Sequence, residues 1–190
     1  IELIKIYLSE TIQDDSKDLT FKIDRTNRTA SLFDINHHSD IAVIPRTVHH
    51  ESIDYLVTSI SHVHSEVRVL RTVYESAIKK IYQYSFYTKR RPSLLEEIDL
   101  PKSMTEFKDN WCVGLDNLKT VENNSNSFYF CDNKYLIGKS DENNDDYDIF
   151  YYAIRNVEYI YLPSSIKVIS SFAFEKCKNL YFIEITSDSN

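Results

Sequence analysis

The chain has 190 residues, 42% of them apolar, with 29 acidic against 22 basic side chains and a net charge of −7. That is enough apolar surface for one continuous core, while the negative balance argues against a nucleic-acid partner, which needs a basic face. Only two glycines occur, Gly114 and Gly138, too few for a doubly wound nucleotide-binding fold or a phosphate-cradling loop. Asparagine and aspartate are therefore expected to serve the turns. No run approaches the roughly 20 apolar residues that span a bilayer. No charged start followed by an apolar core marks a signal peptide.

Residues 1–40 lack any long period. FKIDRTNRTASLFDI alternates on both sides of a polar turn at Arg25 to Thr29, which predicts a β-hairpin. A hairpin before a repeating region is what covers the open end of a stack, so 1–40 is expected to be an N-terminal cap.

From residue 41 a repeat emerges, clearest near the end of the chain. Counting from Pro163, Ile166, Ile169, Phe174, Cys177, Leu180 and Ile183 fall at offsets 3, 6, 11, 14, 17 and 20. The same offsets from Pro101 give Met104, Phe107, Cys112, Leu115, Leu118 and Val121, apolar or cysteine at every one. Looser coils precede these: Glu75 stands in the proline place before Ile78, Ile81 and Phe86, and Pro45 is followed by Val48 and an insertion around HHESIDYLV. A shortened coil at Ile149, Ala153 and Ile154 links the two clear ones. The pattern predicts about five coils of about 23 residues over 41–190, a mainly β solenoid with turns or short helices closing each coil. Leu95, Ile98 and Leu100, like Val157, Ile160 and Leu162, are predicted inward on the strand before each proline, which ends it by withholding an N–H. Two aromatic stretches around an acidic, asparagine-rich loop in 123–148 predict a protruding hairpin inserted between coils. The last apolar strand ends without a cover, so further coils or a cap are expected beyond residue 190.

LPSSIKVISSFAFEKCKNLYFIEI resembles the BspA-type leucine-rich repeat, through Ser165-Ile166 after Pro163, the Ala173-Phe174 pair and Cys177-x-Asn179-Leu180. The likeness is close over 157–185, good over 95–121 and degenerate over 41–90 and 149–156; Trp111-Cys112 and Ser85-Phe86 replace the Ala-Phe pair in two coils. The resemblance implies non-catalytic surface antigens and adhesion-type proteins of bacteria and certain protists. It implies protein partners, host-cell or extracellular-matrix proteins among them, no cofactor, and placement at the cell surface or secretion. The asparagine-, lysine-, isoleucine- and tyrosine-rich flavour is closer to protist members. An intracellular scaffold built from the same repeat is the alternative.

Residues that carry chemistry elsewhere are sparse here. All six histidines (His37, His38, His49, His50, His62 and His64) lie in one stretch, readable as a zinc or copper site or as surface side chains near the cap. Asp141, Asn143 and Asp145 match the first ligands of a calcium loop, but the glycine and closing glutamate are missing, so a solvated acidic loop is the other reading. Cys112 and Cys177 sit at inward offsets, leaving Cys131 as the cysteine open to reaction. Asn27 and Asn123 begin glycosylation triplets. No serine elbow or paired acid marks an enzyme. The expected binding surface is the outer strand face: Glu96, Glu97 and Asp99, then Lys119, Thr120 and Glu122, then Glu158, Tyr159 and Tyr161, then Tyr181, Phe182 and Glu184. Its aromatics serve either as interface anchors or as a ladder between coils.

Overall fold

The computed structural model describes residues 10–14, 18–35, 40–63, 67–73, 75–89, 92–123, 125–132 and 134–186. The chain enters it as an antiparallel meander of β1 (Glu10–Asp14), β2 (Leu19–Asp24) and β3 (Thr29–Ile35). Alternation puts Leu19, Phe21 and Ile23 of β2 inward, as it does Ala30 and Leu32 of β3. The turn between them is set by Asp24, whose carboxylate accepts the N–H groups of Thr26 and Asn27. This is the hairpin expected around Arg25 to Thr29, with β1 added at its edge.

The solenoid follows. Strands β4 (Ile41–Ile44), β7 (Val69–Thr72), β9 (Glu97–Leu100) and β11 (Thr120–Asn123) form a parallel four-stranded sheet. A second sheet sets β6 (Ile53–Ile60), β8 (Lys80–Ile81) and β10 (Glu106–Phe107) parallel to one another and continues the meander, because β3 pairs with β6. Each coil thus lays one strand in each sheet. The HHESIDYLV insertion is β5 (Thr47–His50) folded back antiparallel on β6 through Glu51 and Ser52. Both turn residues have positive φ, 48° and 65°, the handedness that a two-residue hairpin loop needs.

Pairing gives the period directly. Thr120 lies opposite Glu97, an interval of 23 residues, while Val69 lies opposite Glu97 across 28. The longer early coils explain why the pattern is looser there. Ile78, Ile81, Phe86, Met104, Phe107, Cys112, Leu115 and Leu118 are all buried. Among the described residues no helix occurs; turns join the strands. The serines two places after Pro101 and Pro163 hold neighbouring coils together: Ser103 Oγ donates to the Ser76 and Ile78 carbonyls, and Ser165 Oγ to that of Tyr147.

The turns depart from the expected asparagine and aspartate. Left-handed conformations recur at offset 9 of three coils, at Tyr84 (φ 55°), Asn110 (φ 62°) and Phe172 (φ 63°). Offset 13 repeats the conformation at Gly114 (φ 88°) and Lys176 (φ 59°). A bulky residue pays about 1–2 kcal/mol there; the stack, not local preference, imposes the geometry.

The 123–148 segment contains the expected antiparallel hairpin pairing, but its strands pack into the core. Strands β12 (Tyr129–Cys131), β13 (Tyr135–Gly138) and β14 (Ile149–Ala153) form an antiparallel meander built into the core. Tyr129, Leu136 and Tyr152 are buried in the main core, where the Phe107 ring meets Trp111 at 4.3 Å and Tyr129 at 4.8 Å. Gly138 is required between two rings, since a Cβ there would lie 2.6 Å from Tyr129 and 2.7 Å from Tyr151. The remaining strands are β15 (Tyr159–Pro163), β16 (Val168–Ile169), parallel to β14, and β17 (Phe182–Thr186), parallel to β15. A second cluster packs Phe150 on Phe174, the rings stacked nearly parallel with centroids 4.7 Å apart. Ile169 is 55% exposed and Ile183 46%, because no described strand lies beyond β16 and β17.

Asn126 anchors the meander. Buried at the Pro101 corner, it donates through Nδ2 to the carbonyls of Pro101, Lys102 and Met104, and accepts through Oδ1 from the N–H groups of Phe128 and Tyr129. Asn126→Ala orphans these buried groups and should lower stability by about 2–4 kcal/mol, read as a lower urea midpoint. A shift under about 0.5 kcal/mol would show that the side chain is dispensable.

Candidate protein-binding face

The outer strand face is interrupted where the sequence reading has it continuous. β12 lies beside β11, so β15 and β17 form their own two-stranded sheet instead of extending the β4–β7–β9–β11 ladder. Glu96, Glu97, Lys119, Thr120 and Glu122 belong to the first half; Glu158, Tyr159, Tyr161, Tyr181, Phe182 and Glu184 belong to the second.

In the first half, Glu96 and Glu97 are paired within the chain, while the exposed Glu122 has no ion-pair partner among the described residues. Glu96 accepts from Arg68 Nη1 at 2.7 Å and Lys119 Nζ at 2.8 Å, and Glu97 from Arg71 at 2.7 Å. Asp99 is a correction: it is buried, 9% exposed, and its carboxylate accepts the Thr72 backbone N–H and hydroxyl. Its neighbours cover it in mid-sheet, so it presents nothing to a partner.

The second half is aromatic. Register sets Tyr159 opposite Phe182 and Tyr161 opposite Glu184 on the outward face, while Ile160 and Ile183 pair on the inward one. Tyr159 and Tyr161 meet edge to face at 5.7 Å, as do Tyr161 and Phe182 at 5.9 Å. Lys134, from the β12–β13 turn, places its ammonium 3.8 Å from the Tyr159 ring centre. The rings ladder between coils, yet remain 38%, 48% and 40% exposed at Tyr159, Tyr161 and Phe182. Laddering and availability coexist.

The other candidates resolve individually. His37, His38 and His64 lie outside the described residues. His49 bonds Asp54, His50 bonds Glu10, and His62 packs on Phe33, so these three do not converge. Glu10, His50 and Glu51 do come together with ligand atoms within 4.8 Å. Arg25 bridges both carboxylates and supplies the positive charge there. Asp141 accepts from the N–H and side-chain amide of Asn143, which holds its carboxyl below the ordinary value. Asp148 closes the same loop by accepting from Ser140. Asn123 donates its amide to the Tyr129 carbonyl at 2.6 Å, against its use as a glycan acceptor, whereas Asn27 sits in the exposed cap turn. Sequence reasoning missed Arg155, buried with its guanidinium 4.2 Å from the Tyr152 ring and donating to the Ala173 carbonyl. Among the described residues, no helix is long and apolar enough to cross a membrane.

Parallel coils that bury a shared apolar rim and repeat a Pro-x-Ser corner define a leucine-rich repeat solenoid, a fold that serves protein–protein interaction. The BspA type leucine-rich repeat region matches residues 65–136 and 143–190 in six copies, against about five coils read from spacing, and the chain belongs to this family. Among solved structures, the pneumococcal vaccine antigen PcpA is 15% identical with a TM-score of 0.48, over 92% of this chain and 49% of that one. The chain thus spans about half the length of that antigen. A leucine-rich repeat protein from Bacteroides capillosus is 16% identical with a TM-score of 0.43, over 93% of this chain and 99% of its own. A leucine rich cell surface protein from Faecalibacterium prausnitzii is 16% identical with a TM-score of 0.32, over 93% and 76%. No curated protein matches the sequence.

Two outcomes follow from this geometry. Desolvation of the half-buried Cys131, with Asp132 and Glu122 nearby, pushes its thiol up to about 12, which disfavours the thiolate a reactive cysteine needs. Ellman's reagent should label Cys131 in folded protein far more slowly than in urea-unfolded protein; equal rates would contradict this. Glu96 is held below its ordinary 4.5 by the Lys119 hydrogen bond and then by Arg68. A depressed carboxyl stabilises the fold above its unfolded pKa, and that contribution vanishes as pH falls through the folded value. Glu96→Gln should therefore lower the urea midpoint at neutral pH, and the gap to the native chain should close as pH falls through the depressed folded value. A gap that persists in acid would refute the pairing as its cause.

Proposed function

We propose that this chain is a non-catalytic binding module, placed at the cell surface or secreted, that engages host-cell or matrix proteins through the outer face of β15 and β17. The observation that carries the reading is the ordered row of Tyr159, Tyr161 and Phe182, each more than a third exposed. Rings already fixed by edge-to-face contacts bury large area on binding while losing little side-chain entropy. Family membership supports the surface setting, since BspA-type repeats recur in surface antigens. The strand face is the region where a leucine-rich repeat presents regularly spaced side chains to a protein.

The triple variant Tyr159→Ser, Tyr161→Ser, Phe182→Ser should weaken binding to arrayed matrix and host-membrane proteins about 10-fold or more by surface plasmon resonance. Its circular dichroism should stay native. Undiminished binding rejects the face. Protease treatment of intact cells should remove the protein; full protection would place it inside and favour the scaffold alternative.

A further inference from the structure

We infer that the β15–β17 face takes a basic partner, an extended protein segment whose lysine or arginine side chains dock on the rings between Glu158 and Glu184. This inference rests on the reading of that face as the binding surface and adds the chemistry of the occupant.

The argument starts from charge. On the other half of the strand face, Glu96 and Glu97 have cations from neighbouring coils, Arg68, Lys119 and Arg71. Glu158 and Glu184 are exposed, and among the described residues their carboxylates have no ion-pair partner. Glu184 lies opposite Tyr161 on the outward face, and Glu158 is the exposed residue just before β15, next in sequence to Tyr159. A chain carrying −7 overall thus keeps two unpaired carboxylates beside the exposed rings of this sheet, with Lys134 at the Tyr159 end of the row. A complementary surface must bring positive charge.

The rings define how that charge sits. Lys134 over Tyr159 at 3.8 Å shows, within the chain, an ammonium resting on this row. Aromatic faces attract cations through the ring quadrupole, and a carboxylate beside the ring adds direct attraction. The successive ring planes cross at 66° and 72°, which makes corners instead of one flat platform. Regular strand spacing on the outward face favours an extended partner whose alternate side chains point the same way.

The test uses the purified chain and fluorescently labelled extended peptides that alternate valine with lysine, glutamine or glutamate. Anisotropy should detect the lysine peptide alone, and tyrosine ring signals in NMR spectra should move with it. Glu158→Gln with Glu184→Gln should weaken that binding about 10-fold, as should the triple serine variant. Glu142→Gln with Asp145→Asn, which removes charge from the distant acidic loop, should leave it nearly unchanged. The inference is overturned if the lysine peptide binds no better than the glutamine peptide, or if the loop variant weakens it as much as the Glu158 and Glu184 variant. Arrayed proteins that bind in a ring-dependent manner separate the two claims. Binding that needs the rings but ignores Glu158 and Glu184 sinks the basic partner and keeps the face. Binding that ignores the rings as well sinks both.

Discussion

No coil of this chain can bury its own apolar rim; only a neighbouring coil in parallel register can. That mutual dependence explains most of the molecule. The β4–β7–β9–β11 ladder aligns coils so that Leu70, Ile98 and Leu118 share one core, and side chains such as Ser103 supply the carbonyl partners that backbone turns leave over. Where register is kept, outward positions also align, and that alignment turns single residues into a face.

The same constraint explains what could be read from sequence. Offsets from Pro101 identified Met104, Phe107, Cys112, Leu115 and Leu118 as interior because burial is a direct consequence of periodicity. The β2–β3 hairpin was legible from alternation around a polar turn. Asp99 was not, since alternation places it outward and only the packing of adjacent coils covers it. The 123–148 segment misled for a related reason: its polar loop suggests protrusion, while Asn126 and Tyr129, which tie it inward, have no periodic signal. The period likewise concealed the break between β11 and β15, because repeats continue in sequence on both sides of the inserted strands.

The two halves of the strand face carry different electrostatics on one scaffold. In the first, Arg68, Arg71 and Lys119 satisfy carboxylates across coils, so charge serves cohesion. In the second, rings take over cohesion through edge-to-face contacts, which frees Glu158 and Glu184 from that duty. Exposed pairs of the first kind are individually weak. Their regularity matters more than their strength, for it pairs Glu96 and Glu97 across coils and leaves Glu122 without an ion pair among the described residues.

The left-handed residue at offset 9 has one more implication. Because the stack dictates its backbone, Tyr84, Asn110 and Phe172 need not be chosen for turn-forming ability, and Tyr84 and Phe172 point substantially into solvent. The Asn110 amide donates to the Tyr84 hydroxyl at 3.0 Å, so adjacent members already touch. Such a column is a set of interchangeable slots along the solenoid, where drift between relatives alters the displayed surface and spares the architecture.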